Sequence, residues 1–369
     1  LTPDGPGPDL APVRRGLRAI VFEQTRETLE RRLGFRAVEY GLRNVFPRVP
    51  DHPLLAGLDA DALHDWRGSA TLTPARRAYK LTEMHGPTVQ WCGIDVSRAW
   101  RVGTRGNVAS VLIEKPARGD CLPVLDGGYS LQYSPLLECR EGEGVLLFCQ
   151  LDVTGRTARE PAAERLVANL LAYASAWKPA PRRPVFYAAP PAATRFFESL
   201  GTTAKPLPAG PLPAGARVLA VGMGEFPDVT FTTREHIATV FEPGGAGTAF
   251  AGIGSADVHN RAPRELPLVT GGARVLGDGA LAETPDGAAV LCALDPWFYA
   301  APTQLGLRRT FRRSAYLVNR LLANLGGAGP TPLPERFASP ATASDRRWLE
   351  GLYLDAPIEW DDPYRFFRW

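Results

Sequence analysis

The sequence predicts an α/β protein made of two tandem, doubly wound domains. The segment "GVLLFCQLDVTGRTAREPAAERLVANLLAY" at 144–173 is largely repeated by "AAVLCALDPWFYAAPTQLGLRRTFRRSAYLVNRLLANLG" at 288–326. In both copies a continuous apolar run, typical of a strand buried on both faces, precedes the spacing of an amphipathic helix. Strands that alternate with helices favour a parallel sheet covered by helices on both faces.

Residues that match at several positions of the two segments support a duplicated domain. Cys149 and Asp152 align with Cys292 and Asp295, and "RLVANL" at 165–170 aligns with "RLLANL" at 320–325. A weaker alignment sets "LAGLDADALHDWR" beside "FAGIGSADVHNR" and pairs Gly57 with Gly252, His64 with His259 and Arg67 with Arg261. A period well above that of solenoid repeats indicates two copies of one domain.

Proline- and glycine-rich stretches at 176–184 and 326–340 mark the boundaries between the predicted parts. We expect a first domain over 1–178 that carries a β-rich insertion at about 72–134. A second domain follows over 179–330, and an aromatic tail over 331–369.

The apolar runs and helical spacings place individual elements. The predicted strands are Arg18 to Phe22, Arg36 to Tyr40, Val108 to Glu114, Val145 to Leu151, Val185 to Ala188, Arg217 to Gly222 and Ala289 to Leu294. The predicted helices are Gln24 to Leu33, Ala192 to Leu200, Thr233 to Phe241, one that begins at Pro161 and one around Tyr316 to Leu325.

Composition disfavours a membrane protein and a nucleic-acid-binding protein. The 369 residues are 45% hydrophobic and 22% charged, and they contain no apolar run of membrane-spanning length. The net charge of +3 is too small to indicate a nucleic-acid partner. The densest basic cluster, "LRRTFRRS" at 307–314, is typical of a solvated helix start.

The five cysteines do not have the spacing of a zinc site or of a disulfide framework, so neither is expected. Cys149 and Cys292 lie within apolar strands, where free cysteine behaves as a small buried hydrophobe. No metal and no cofactor is predicted.

Beyond these patterns, parts of the sequence resemble a known group of bacterial proteins. The repeated segment, "GLRAIVFEQ", "HPLLAGLDADALHDWRG" and the closing "WLEGLYLDAPIEWDDPYRFFRW" resemble the C-terminal region of large bacterial glycoside hydrolases of the family-2 or β-galactosidase type, chiefly from planctomycetes. The domains of that region are similar to class I glutamine amidotransferase-like domains, whose flavodoxin-like fold also accompanies β-galactosidases as a non-catalytic module.

The resemblance implies that the first domain lacks its opening strand and helix, which would precede Leu1. It also implies a catalytic region upstream as the main partner. The cellular location stays open, with export alongside the parent protein as one option.

The amidotransferase reaction needs a cysteine in G-x-C-x-G and a histidine in H-x-E, and this sequence contains neither pattern. Where the family would place the nucleophile, the chain has Glu23 and Gln24. Glycoside hydrolysis in the families named needs two carboxylates on a (β/α)₈ barrel, which strands divided between two domains do not supply. We therefore expect a non-catalytic structural or interaction module. The alternative is a diverged enzyme that uses Glu23, His64 and Arg67 in one pocket.

Several residues are candidates for ligand binding. Asp152 and Asp295 follow strands, and open α/β sheets bind ligands at the carboxyl ends of their strands. Aromatic and polar residues in "HDWRG" (64–68), "SRAW" (97–100) and "DPWFY" (295–299) suit a sugar, although such aromatics also plug gaps between domains. The candidates are Glu23, Gln24, His64, Trp66, Arg67, Asp152, Asp257, His259, Arg261, Asp295 and Trp297.

Candidate partners beyond the upstream region are a carbohydrate and a second copy of the chain. The aromatic tail has the composition of a segment that packs onto another surface. That surface lies in this chain, in the upstream part or in a second subunit.

Overall fold

The computed structural model describes residues 1–2, 5–72, 88–91, 93–97, 105–181, 183–300, 305–338, 351–357 and 363. Within these ranges the protein is mixed α/β, with two large mixed sheets, three two-stranded sheets and few α-helices. Much of the predicted insertion and most of the closing tail lie outside the described residues.

The elements of the first half are β1 (Arg18–Val21), β2 (Ala37–Leu42), β3 (Phe46–Pro47), β4 (Trp66–Ser69), β5 (Thr88–Trp91), β6 (Ile94–Ser97), β7 (Arg105–Gly106), β8 (Ala109–Glu114), β9 (Asp120–Gly127), β10 (Tyr133–Glu141), β11 (Gly144–Cys149) and α1 (Pro161–Ala176). Those of the second half are β12 (Val185–Ala188), α2 (Thr194–Leu200), β13 (Lys205–Pro206), β14 (Arg217–Val221), β15 (Thr230–Ala238), β16 (His259–Gly271), β17 (Arg274–Leu276), β18 (Leu281–Glu283), β19 (Ala289–Cys292), α3 (Leu305–Leu325) and α4 (Leu333–Ala338).

The first sheet combines parallel and antiparallel pairs. Strand β1 runs parallel to β11, and β11 pairs with the antiparallel strand β10. β10 also pairs with β8 and β9, while β2 adds to β8 and β3 to β9. Only the β1/β11 pair of this sheet is parallel among the described strands, so the fully parallel sheet expected here is wrong. Strands β8 and β9 of the predicted insertion, together with β10 that begins at its end, make this sheet mostly antiparallel.

The second sheet has the order β13-β12-β14-β19-β18-β17. Its first four strands are parallel, and the last two are antiparallel. Strands β15 and β16 form a separate antiparallel ribbon between β14 and β17 in the chain.

The same local arrangement occurs in both halves. A parallel pair (β1/β11 or β14/β19) is flanked by an antiparallel strand (β10 or β18), and a long helix (α1 or α3) follows the second parallel strand.

A side-chain contact is repeated as well. Asn169 of α1 donates from Nδ2 to the carbonyls of Leu54 (3.1 Å) and Ala56 (2.9 Å). Asn324 of α3 donates in the same way to Ala249 and Ala251, both at 2.9 Å. These carbonyls precede Gly57 and Gly252, which both have left-handed backbone conformations (φ 73° and 79°). The segments paired by the "RLVANL" alignment are thus hydrogen-bonded, in both halves, to the segments paired by the weaker alignment around Gly57 and Gly252.

Alternating side chains of β11 explain how the first core is divided. Val145, Leu147 and Cys149 pack with α1, whereas Leu146 and Phe148 face a second cluster that includes Phe337 of α4. Because both faces are covered, the strand is apolar throughout. Helix α1 begins where the Glu160 carboxylate accepts from the Ala162 N–H, and Pro161 occupies a first-turn position where its missing N–H costs nothing.

Buried charges join the two halves. The junction cluster consists of Arg48, Lys115, Asp126 and Asp257, each at most 5% exposed. Arg48 Nε lies 2.6 Å and Lys115 Nζ 3.0 Å from the Asp126 carboxylate. Lys115 also lies 3.6 Å from Asp257 of the second half. Buried charges need partners of this kind, so the cluster fixes the relative position of the two sheets.

Residues 351–357 of the tail pack against the chain, as Phe337 of α4 does. The Tyr353 hydroxyl donates to the Glu114 carbonyl (2.7 Å), and the Asp355 carboxylate accepts from Arg36, Arg308 and Arg312. This part of the tail therefore packs onto the chain itself, against both the first sheet and α3. Residues 358–362 and 364–369 lie outside the described residues.

The seven predicted strands are confirmed, each within two residues at either end. The helices predicted at Pro161, Ala192 to Leu200 and Tyr316 to Leu325 are also confirmed, whereas Gln24 to Leu33 contains a π-helical turn at Thr28–Arg32. The helix predicted over Thr233 to Phe241 is wrong. Most of that segment belongs to β15, whose backbone bonds pair with β16. Its threonines and isoleucine suit a strand.

The expectation against disulfides is also wrong. Cys121 and Cys139 are bonded to each other. They lie opposite one another on the antiparallel strands β9 and β10. Cys149 and Cys292 are free and buried, as predicted.

The repeated contact predicts a matched pair of effects. Asn169→Asp and Asn324→Asp each replace an amide donor by a carboxylate that faces two carbonyl oxygens. We expect Asn169→Asp to lower the free energy of unfolding by about 2 kcal/mol, because two hydrogen bonds are lost and like partial charges meet, and Asn324→Asp to lower it less, because Arg320 Nε already donates to Asn324 Oδ1 (3.0 Å) and would attract the carboxylate. Urea unfolding measures the change.

Asn44→Asp is the control for these variants, because Asn44 is exposed. A loss at one asparagine but not at the other would contradict an equivalent role in the two halves.

Candidate functional site

A polar cavity lies beside the loop that follows β11. Its volume is about 780 Å³. We call it the arginine cavity, and its lining residues are Arg43, Asp65, Trp66, Arg67, Gly68, Ser69, Gly106, Gly155, Arg156 and Arg159. These residues come from the end of β2, from the small β4/β7 sheet and from the loop between β11 and α1. The cavity is thus on the side of the carboxyl end of β11, where open α/β sheets bind ligands.

Arg156 holds the parts of the cavity wall together. Its guanidinium donates to the carbonyls of Asn107 (2.6 Å), Trp66 (2.9 Å) and Arg67 (3.0 Å). It is nearly fully buried and lies over the Trp66 ring. Burial lowers the Arg156 pKa, although the charges of Asp152 and Glu160 oppose this effect. Arg156 thereby ties the loop after β11 to the β4/β7 sheet.

The remaining arginines differ in how their charge is balanced. Arg43 Nε pairs with the Asp65 carboxylate at 2.5 Å. Arg67 and Arg159 are exposed, and neither guanidinium forms an ion pair with a carboxylate of the described chain. The backbone N–H of Arg67 donates to Glu160 at 2.8 Å, which fixes its main chain. Two guanidinium groups are therefore available to a ligand.

Two carboxylates are buried next to Arg156. Asp152 accepts from the Ser110 hydroxyl (2.7 Å), and Glu23 accepts from the Thr154 N–H (2.7 Å). Oδ1 of Asp152 and Oε2 of Glu23 are both buried without a hydrogen-bond partner among the described atoms. Burial raises the pKa of Asp152 to about 7, and the Glu23 charge adds to this rise. The pair follows the carboxyl ends of β1 and β11.

In the second half, side chains fill the space at the carboxyl ends of the corresponding strands, β14 and β19. Asp295, after β19, pairs with Arg264, whose guanidinium lies 3.5 Å from the centre of the Phe298 ring. Burial raises the pKa of Asp295, although Arg264 opposes this. The Trp297 ring packs against Gly222, where an added Cβ would come within 2.9 Å of the ring.

The predicted site residues do not form one site. Trp66 and Arg67 line the arginine cavity, and Glu23 and Asp152 lie next to its Arg156. Gln24 instead exchanges hydrogen bonds with Gln150. His64 is exposed beside Asp61 and Asp65. Among the described contacts, none joins Glu23 to His64, so these residues do not support the pocket required by the diverged-enzyme alternative.

The candidates of the second half are divided in the same way. Asp257 belongs to the junction cluster. His259 lies near Arg261, and burial together with the charges of Arg313 and Arg261 lowers its pKa. Asp295 and Trp297 lie at the carboxyl ends of β14 and β19. Of the "SRAW" segment, residues 98–100 lie outside the described residues.

Sequence reasoning missed Arg43, Arg156, Arg159 and Ser110. They come from three separate stretches of the chain, and only the fold brings these stretches together. The one available signal was the position of "TGRTAR" (154–159) directly after a predicted strand, where ligand-binding loops occur.

Comparison with protein-family models, with curated proteins and with solved structures finds no match to this chain. Among the described residues, histidine, cysteine and carboxylate side chains do not gather in groups of three or more that could hold a metal ion. The described helices include none that is long and apolar enough to cross a membrane.

The raised pKa of Asp152 predicts a pH-dependent stability. The folded state holds this proton more tightly than the unfolded state, so its contribution is complete below the unfolded pKa, near 3.8, and is lost as the pH rises through about 7. Asp152→Asn should remove up to about 1.4 kcal/mol per pH unit from the slope of unfolding free energy between these limits. Urea titrations at several pH values measure the slope.

Glu141 provides an independent comparison. Burial raises its pKa to about 7 as well, while hydrogen bonds from Thr331 oppose the rise. Glu141→Gln should therefore reduce the same slope separately, and Glu164→Gln, at an exposed position, is the reference substitution. Parallel pH curves for the native chain and Asp152→Asn would show that Asp152 does not hold the extra proton.

Proposed function

We propose that this chain is a non-catalytic structural and interaction module of a larger carbohydrate-active protein. We further propose that it consists of tandem flavodoxin-like, class I glutamine amidotransferase-like domains, the first interrupted by a β-rich insertion. The sequence resemblance supports this, as does the order β13-β12-β14-β19 of the parallel strands. Numbered along the chain, that order is 2-1-3-4, the beginning of the flavodoxin-like order.

The observation that carries the proposal is the state of the two strand-end cysteines. Cys149 and Cys292 are free and buried in equivalent strands. Burial raises the pKa of the Cys149 thiol far above its ordinary value and that of Cys292 to about 12. Since the thiolate is the nucleophilic form, these thiols are poor candidates for amidotransferase chemistry.

The carboxylates at the strand ends also have structural partners. Glu23 accepts from a backbone N–H, Asp152 from Ser110, and Asp295 is paired with Arg264. Repetition of the Asn169 and Asn324 contacts fits the same interpretation, because a shared scaffold explains two copies of one contact.

A second candidate function is a diverged hydrolase or transferase of the same fold. One observation favours it: Asp152 has a pKa near 7, in the range suited to general acid or base catalysis, and lies next to the arginine cavity. Its side chain is fully buried, however, and it already accepts a hydrogen bond from Ser110.

Thiol labelling and turnover assays test the proposal together. Under native, non-reducing conditions we expect iodoacetamide to leave Cys149 and Cys292 unmodified, and to modify both after unfolding in urea. Peptide mapping by mass spectrometry separates these sites from the other cysteines. Glutamine and a panel of aryl glycosides should not be turned over.

Two results would contradict the non-catalytic proposal. One is native alkylation of Cys149 or Cys292 that abolishes a glutaminase activity. The other is a glycosidase or transferase activity that disappears in Asp152→Asn while Glu164→Gln retains it, which would establish the second candidate.

A further inference from the structure

We infer that the arginine cavity binds the oxyanion group of a polar, sugar-sized ligand through Arg67 and Arg159. The inference goes beyond the proposed function and does not depend on it, because an anion site serves a binding module and an enzyme alike.

Charge is the first reason. Among the described residues, four arginines and a single carboxylate, Asp65, line the cavity. That carboxylate is paired with Arg43, and Arg156 is occupied by three backbone carbonyls. Arg67 and Arg159 also line the cavity, and their guanidinium groups have no carboxylate partner in the described chain. A concave surface that carries excess positive charge attracts anions.

Glu160, which contacts the Arg67 main chain, does not cancel this charge at the cavity surface. Glu160 is buried, and its two oxygens accept from the backbone N–H groups of Ala162 and Arg67. It thus serves to begin α1 and to hold the main chain at Arg67. The Arg67 side chain stays exposed.

The kind of donor indicates the ligand group. A guanidinium presents a planar fork of N–H donors that matches a carboxylate, sulfate or phosphate oxygen pair. Because Arg156 cross-links the loop after β11 to the main chain at Trp66 and Arg67, the positions of Arg67 and Arg159 are set by the fold. An oxyanion is therefore the ligand chemistry shared by these donors.

The volume and the lining residues of the cavity indicate what the ligand contains besides its oxyanion group. The volume of about 780 Å³ lies within the range of small-molecule sites and exceeds what a bare oxyanion fills. The Trp66 ring is only 2% exposed, so it does not offer a stacking face. Recognition would instead use Ser69, Asp65 and backbone groups at Gly68 and Gly155, which suits a hydroxylated body.

Isothermal titration calorimetry on the full chain tests the inference. The probes are inorganic phosphate, a uronic-acid-containing disaccharide, a sulfated disaccharide and a neutral disaccharide. We expect saturable binding of a charged disaccharide, stronger than that of phosphate, and none of the neutral one. Binding should weaken as salt is added.

Arg67→Gln and Arg159→Gln identify the site. Each should weaken binding about tenfold, equivalent to about 1.4 kcal/mol. Arg195→Gln on α2 is the matched control, since Arg195 is also exposed, and it should not change the affinity. Because both cavity side chains are exposed, unchanged urea midpoints should show that these variants fold normally.

Three results would overturn the inference. They are the absence of saturable binding for every anionic probe up to millimolar concentration, an affinity unaffected by both Arg67→Gln and Arg159→Gln, and equal binding of charged and neutral disaccharides. Phosphate binding as strong as that of the disaccharides would overturn the sugar-sized ligand. Turnover assays report separately on the proposed non-catalytic role.

Discussion

Paired burial of opposite charges at the junction cluster is the constraint on which the arrangement of the two halves depends. Arg48, Lys115 and Asp126 belong to the first half, and Asp257 belongs to the second. Loss of one member of such a group typically costs about 3–5 kcal/mol, because a buried charge is left without compensation. The halves therefore cannot slide or rotate against each other without separating these charges.

Helix α3 extends this junction. Its Arg320 pairs with Asp120 at 2.6 Å, and its Asn319 donates to the carbonyl of Gly119 at 2.9 Å. Both acceptors belong to the first half, so α3 covers its own sheet and contacts β9 as well. The solvated helix start expected at 307–314 is therefore wrong: Arg312 and Ser314 are buried, because α3 packs against the first half and the tail, where Asp120 and Asp355 pair with its arginines.

The strands were predictable because burial on both faces gives a continuous apolar run, and the repeat was visible because Asn169 and Asn324 lie in matching segments. Strand β15 was missed because it is mostly exposed and is held by its pairing with β16, a distant segment of the chain. The Cys121–Cys139 bond depends on strand register in the same way. At the candidate site, Trp66 and Arg67 were found through composition, but Arg43 and Arg156 required the fold.

The contact between Gly222 and Trp297 limits what the second half can hold at the carboxyl ends of its strands. By strand pairing, the position that Glu23 occupies after β1 corresponds to Gly222 after β14. The absence of a side chain at Gly222 gives the indole its space, and the indole in turn fills an edge that is polar in the first half. Acquisition of a binding crevice by the second half would therefore require coordinated replacement of both residues, an evolutionary barrier that the first half does not face.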